Sequence, residues 1–210
     1  MTSKAEQGQA TRRGIIEAAT RLFGERGYAG VSIEAVLAAT SLSRGALYHH
    51  FAGKEALFEA VVEAMEAEIC RKVIARSAGA RDAARAVTAG GEAFLELTQD
   101  PAARRIVLVD APSALGWARR REIESRYGFG LLKASLARAA ADGAVEPSKV
   151  EIFAHVLLAA LIELALIIAA AVDPDAALAD AKATLRVLLS AMLPPARQAD
   201  ARSSGQGPSP

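Results

Sequence analysis

Between Arg44 and Lys54 the chain gathers side chains suited to a polyanion: Arg44, Tyr48, His49, His50 and Lys54. An arginine guanidinium can take guanine O6 and N7 together. A phenol, an imidazole or an ammonium group suits phosphate oxygens, which position a protein on a duplex without specifying sequence. Catalysis fits these residues poorly. The chain holds three histidines, two of them here, and a single cysteine. It has no Ser-His-Asp arrangement with a nucleophile elbow, no Cys/His set at metal spacing and no glycine-rich phosphate loop. The expectation is a binding protein, not an enzyme, with no cofactor and no metal.

Local signals say how these groups would be held. Ser32 can N-cap a helix whose apolar residues Ile33, Val36 and Leu37 fall at helical spacing. The pattern stops at Thr40-Ser41, two residues that compete for their own backbone. Ser43 then caps a second helix over 44–51, with Leu47 and Phe51 turned inward. Arg44, Gly45, Tyr48, His49 and His50 are left facing out. A helix-turn-helix lays such a second helix in the DNA major groove. Lys54 opens another helix, where backbone N–H groups and the helix dipole favour an anion. A preceding helix over 11–26, apolar at Ile15, Ala19, Leu22 and Phe23, would brace the pair from behind, with Gly27 as its C′ residue.

From Thr11 to Leu57 the sequence TRRGIIEAATRLFGERGYAGVSIEAVLAATSLSRGALYHHFAGKEAL resembles the N-terminal domain of TetR-family transcriptional regulators. The matching features are the opening Thr11, the Gly27-Tyr28 pair, the capping Ser32 and the block Leu47-Tyr48-His49-His50-Phe51-Ala52-Gly53-Lys54. One departure is Ser41, where the family usually carries Gly; a φ > 0 there would cost a serine something. The resemblance implies an all-α protein: a three-helix helix-turn-helix DNA-binding domain over 11–57, then a helical ligand-binding and dimerisation domain over 58–193. It also implies a homodimer joined through the last two helices, 148–172 and 174–193. That dimer would be a repressor on a double-stranded, palindromic operator, released by an unknown small-molecule effector. Thr11, Tyr48, His50 and Lys54 are the expected phosphate contacts, Arg44, Gly45 and His49 the base-edge contacts, and Ser32 and Ser43 complete the DNA-binding set. Two alternatives stay open: a small-molecule-binding helical protein that has lost DNA binding, and a DNA-binding regulator with no effector.

Composition agrees with helices. The chain is 52% hydrophobic but only 5% aromatic, and its formal net charge is +1. Bulk charge therefore gives no support for nucleic-acid binding, and the placement of charges must carry that inference. One cysteine, Cys70, excludes an intrachain disulfide and fits a reducing cytoplasm. The polar first ten residues read as a disordered arm without a secretory h-region. Residues 194–210, rich in Pro, Gly, Ser and Gln, read as a disordered tail.

The apolar run over 152–172 is long enough to span a bilayer. Glu163 at its middle and the lack of basic or aromatic flanks argue against a membrane. Further helices are expected over 54–77, over 81–98 with Gly90-Gly91 inside, over 102–109 ending near Ala111-Pro112, and over 116–142. Two such glycines would be tolerated where something approaches the backbone closely or the helix bends. Arg119, Arg120 and Arg121 read as a solvated run. Candidate pocket residues are Phe94, Asp110, Trp117, Arg121, Tyr127, His155 and Glu163. His155 and Glu163, about 80° apart around a helix and about 12 Å along it, could face one cavity. Asp110 could instead cap the helix starting near Ser113.

Overall fold

The computed structural model describes residues 4–193, and among them there are helices and no strands. The order is α1 (Lys4–Arg26), α2 (Ile33–Thr40), α3 (Arg44–His50), α4 (Lys54–Ser77), α5 (Ala83–Leu97) and α6 (Pro101–Ala103). A π-helical stretch, Arg104–Asp110, leads into α7 (Ala111–Arg126); α8 (Gly128–Ala141), a 3-10 turn, α9 (Val150–Ala170) and α10 (Pro174–Met192) follow. The all-α class expected from composition is the class found. The segment 194–210 lies outside the described residues.

Caps set most boundaries. Ser32 Oγ accepts the Ala35 N–H and Ser43 Oγ the Ala46 N–H. Asp82, Asp100 and Asp173 do the same for α5, α6 and α10. Such a side chain satisfies one of the four N–H groups that a helix start leaves bare. Ser41 adopts φ 54°, ψ 25°, the left-handed conformation that the turn between α2 and α3 demands. Gly27 and Gly143 close α1 and α8 with φ of 73° and 77°.

Three expectations need correcting. The first helix begins at Lys4, so 4–10 is helical instead of a disordered arm. The helix after Asp100 does not end at Pro112. Proline cannot donate to the Leu108 carbonyl and would clash with it. Just before it the helix widens, with the Ala111 N–H bonding Ile106 O five residues back, and the helix runs on to Leu115. Gly116 (φ 71°, ψ 165°) then breaks it, so the expected opening of a new helix at Gly116-Trp117 is found inside α7. The single helix expected over 116–142 is instead broken at Tyr127 (φ −113°, ψ −99°). The sharp turn brings Gly130 so close to the Ser125 carbonyl that a Cβ would lie 2.6 Å from it.

The core runs unbroken from α1 to α10, with α4 as the shared element: its Phe58 ring meets Phe23 of α1, and its Ile69 faces a space shared with α5, α8 and α9. Gly90 and Gly91 are buried because α5 is crossed closely on that side. A Cβ at Gly91 would lie 2.9 Å from Leu185 Cδ2 of α10, and one at Gly90 3.3 Å from Val73 Cγ1 of α4.

Candidate nucleic-acid interface and ligand cavity

The α2–α3 pair sets the expected DNA-facing side chains on one surface. Arg44, Gly45, Tyr48 and His49 are exposed, His50 and Thr11 are half-buried. Ser32, Tyr48 and Lys54, from three separate elements, line one open depression at the edge of that surface. Two details lie beyond the sequence reading. Arg44 Nη2 donates to Glu34 Oε1 of α2 at 2.6 Å, so the leading base-reading candidate is held by a carboxylate. The Glu34 carboxyl is in turn held below the usual range by its own backbone N–H and by Arg44 and Ser32. Lys54 Nζ lies 4.3 Å from the centre of the Tyr28 ring, a cation–π contact that parks the ammonium at the start of α4.

Behind this surface, the end of α1 is latched to the π-helical stretch. Asp110 Oδ2 accepts the Tyr28 N–H at 2.7 Å, and Arg105 donates to the Glu25 carbonyl at 2.8 Å. Asp110 therefore neither lines a cavity nor caps α7. Asp110→Ala should cost about 1–3 kcal/mol, the value of a charge-assisted bond to a part-buried N–H. The Tyr28 amide should then exchange with solvent faster than its neighbours, and unchanged exchange would remove the latch from the account.

Among α4, α5, α8 and α9 lies a cavity of about 70 Å³, lined by apolar side chains such as Val73, Phe94, Leu131 and Leu161, with Glu66 and Cys70 from α4. Of the expected pocket residues, Phe94 alone lines it. Tyr127 is half-buried in the core at the α7–α8 break. Trp117 is 79% exposed, with the Arg121 guanidinium 5.5 Å from its ring centre, and the two line a second, separate cavity of about 230 Å³ together with Arg120, Glu124 and Ile162 of α9. His155 stacks on Phe129 at 4.4 Å. Glu163 is exposed on the outer face of α9, so the two do not face one cavity.

The arginine run is not uniformly solvated either. Arg119 pairs with Glu59 and Glu122, binding α7 to α4. Arg120 is only 8% exposed and lies between Glu66 Oε1 at 3.3 Å and Glu124 Oε1 at 3.2 Å. Glu66 is 5% exposed. Burial raises its pKa above the ordinary carboxylate value, Arg120 opposes the rise and Glu124 adds to it. Burial, with help from Glu66, pushes the Cys70 thiol up to about 11, which leaves it a poor nucleophile at neutral pH. The sequence did carry a signal for Glu66, a carboxylate in register with Val62 and Ile69 on the apolar stripe of α4.

A model of the tetR family of bacterial regulatory proteins matches residues 15–61, and a model of a tetracyclin repressor-like C-terminal domain matches residues 84–192, about half of the chain. A solved TetR-family transcriptional regulator from Pectobacterium atrosepticum superimposes with a TM-score of 0.77 at 32% identity, over 93% of this chain and 100% of that one. The chain belongs to the TetR family. Among curated relatives, the HTH-type transcriptional regulator UidR of Escherichia coli (strain K12) is 39% identical over 62 residues, 30% of this chain and 32% of that protein. The HTH-type transcriptional repressor AcnR of Corynebacterium glutamicum is 47% identical over 51 residues, 24% of this chain and 27% of its own length. The chain thus spans about a third of the length of the curated relatives it matches.

Proposed function

We propose that this chain is a ligand-responsive repressor that binds a palindromic operator as a homodimer. The observation that carries this reading is the geometry of α2 and α3. Two serine-capped helices meet at a left-handed Ser41 and present Arg44, Tyr48 and His49 together, beside a depression holding Ser32 and Lys54. α3 enters the major groove, Arg44 and His49 reach base edges beside the bare backbone at Gly45, and Tyr48, His50, Thr11 and Lys54 hold phosphates. Two copies would read half-sites about 34–36 Å apart or somewhat more. Support for the second copy comes from α9, the one helix among the described residues long and apolar enough to cross a bilayer. Its outer face leaves Ile152, Val156 and Ile167 exposed, and Val187 of α10 is exposed as well. A partner's α9 and α10 would cover that face as a four-helix bundle, and the Glu163 charge on it suits a protein partner better than lipid. The same reading places the protein in the cytoplasm, with an effector in the cavity behind α4 favouring one subunit spacing over another.

Selection of random duplex DNA on the purified protein tests the reading. An inverted repeat should be enriched, and Arg44→Ala should lose about 1–3 kcal/mol at its base position and relax the preference there. Enrichment of no sequence would leave a helical ligand-binding protein as the function.

A further inference from the structure

The cavity behind α4 is a slot with a chemically distinct end. Glu66, Cys70, Val73 and Ser77 share one face of α4 and line it over eleven residues, about 16 Å at 1.5 Å per residue. Gly90 and Gly91 of α5 form part of its opposite wall, with Val73 of α4 and Leu185 of α10 packed closely against them. The walls from α5, α8 and α9 contribute apolar groups, glycine backbone and the Ser135 hydroxyl, and no ionisable side chain. The ionisable groups at the slot come from two elements: Glu66 and Cys70 of α4, and behind Glu66 the Arg120 and Glu124 of α7.

Charge counting makes that end unusual. Two carboxylates, the buried Glu66 and the half-buried Glu124, share one guanidinium, so the group carries one negative charge in excess when both are ionised. Glu66 Oε1 faces Arg120. Its Oε2 takes no hydrogen bond from the described residues and points to Gly128, where even an added Cβ would remain 3.7 Å away. A buried charge without a partner is costly, and it is balanced by a proton, by a donor or by an opposite charge. An anionic ligand would add to the excess. A neutral apolar one would leave it as it is.

We propose that this slot takes a hydrophobic amine, its protonated nitrogen seated on Glu66 and its apolar body lying along α4 toward Ser77. The proposal rests on the reading of this cavity as the effector site and adds the chemical class of the effector. The amine supplies the donor that Glu66 Oε2 lacks and brings the carboxylate group to neutrality. The body replaces water against Val73, Phe94 and Leu161, and the narrowness of the slot favours an unbranched or slender chain.

Octylamine, octanol and octanoate share a tail and differ in the head group, so they are the probes. Thermal unfolding of the full chain without DNA should show Tm rising with octylamine concentration, as a ligand of the folded state requires. Octanol should act weakly and octanoate not at all. Glu66→Gln, which keeps the shape and removes the charge, should weaken octylamine roughly 10-fold or more, the loss of a charge-assisted bond, and leave octanol unchanged. Stabilisation by octanoate equal to that by octylamine, no stabilisation by octylamine, or an unchanged affinity in Glu66→Gln would overturn the proposal. Should Glu66→Gln fail to fold, the three head groups on the unaltered protein decide it. Repeating the titration on the protein bound to its selected operator separates the two ideas: octylamine binding without DNA release upholds the amine site and removes the effector reading.

Discussion

Arg120→Met should lower the unfolding temperature by about 6–20 °C, the equivalent of the 3–5 kcal/mol lost when one partner of a buried ion pair is removed. The side chain is 8% exposed and joins Glu66 on α4 to Glu124 on its own helix. Methionine fills much of the volume, so the cost arises from two carboxylates left without a cation. The guanidinium is already imperfectly used, since its Nε is buried without an acceptor. A triple variant, Arg120→Met with Glu66→Leu and Glu124→Gln, should therefore recover most of the loss, because an apolar replacement of a whole buried ionic group is often neutral or stabilising. The single variant also has a pH signature. Burial already holds the Glu66 pKa above its ordinary value while Arg120 pulls it down. An acid that keeps its proton longer in the folded state contributes stability below its unfolded pKa of about 4.3, and that contribution is lost as pH rises through the folded value. Without Arg120 the folded value climbs further, so the gap in Tm between variant and wild type should be wider at pH 7 than at pH 5. An equal gap at both pH values would assign the cost to packing and not to charge.

The elements most legible in the sequence were those fixed by local chemistry. Ser32, Ser43, Asp100, Gly27 and Gly143 each act within a turn of themselves, so the residue type alone announces the boundary. The strain at Ser41 was signalled only through the family resemblance, whose pattern usually carries Gly there, and the φ of 54° is what makes that departure costly for a serine. The exposed set on α3 was legible locally too: α3 is short, and the buried Leu47 and the buried Phe51 that caps its end dictate which side chains remain outside. The cavity was not legible. Aromatic and charged residues were expected to mark it, yet Trp117 stands in solvent and Glu163 on the outer face of α9, where a single helix cannot say which side meets a neighbour. The polar end of the slot is made by Glu66, whose partner Arg120 is 54 residues away. Pairing at that separation is decided by how α4 and α7 cross, and no local pattern encodes it. The break at Tyr127 did carry a local signal, because Gly128 and Gly130 follow it and glycine is a poor helix former, while the tight approach of Gly130 to the Ser125 carbonyl appears only once α8 folds back.

Phe58→Ala should cost about 3–5 kcal/mol from the cavity it opens, with about 0.5–1.5 kcal/mol more from its aromatic contacts. The ring is fully buried one turn into α4, 4.9 Å from the Phe23 ring at 77° and 4.7 Å from the Tyr28 ring at 52°. Those contacts reach further than the core. Tyr28 is also the shelf under the Lys54 ammonium and the donor to Asp110. Losing Phe58 therefore loosens, in one step, the start of α4 at Lys54 and the latch between α1 and the π-helical stretch. Leu185→Ala makes the control, since it removes an equally buried side chain that packs on α5 at Gly91, far along the core. At a temperature where both variants remain folded, amides of α2 and α3 should exchange faster in Phe58→Ala than in Leu185→Ala, and operator affinity should fall in the first alone. If the two variants accelerate α2 and α3 equally, the chain opens as one unit, and α4 joins its two ends too tightly for the DNA-binding end to respond separately. Unequal acceleration places the flexible joint at the aromatic cluster, the point through which a ligand lying along α4 would have to act on the DNA-facing surface.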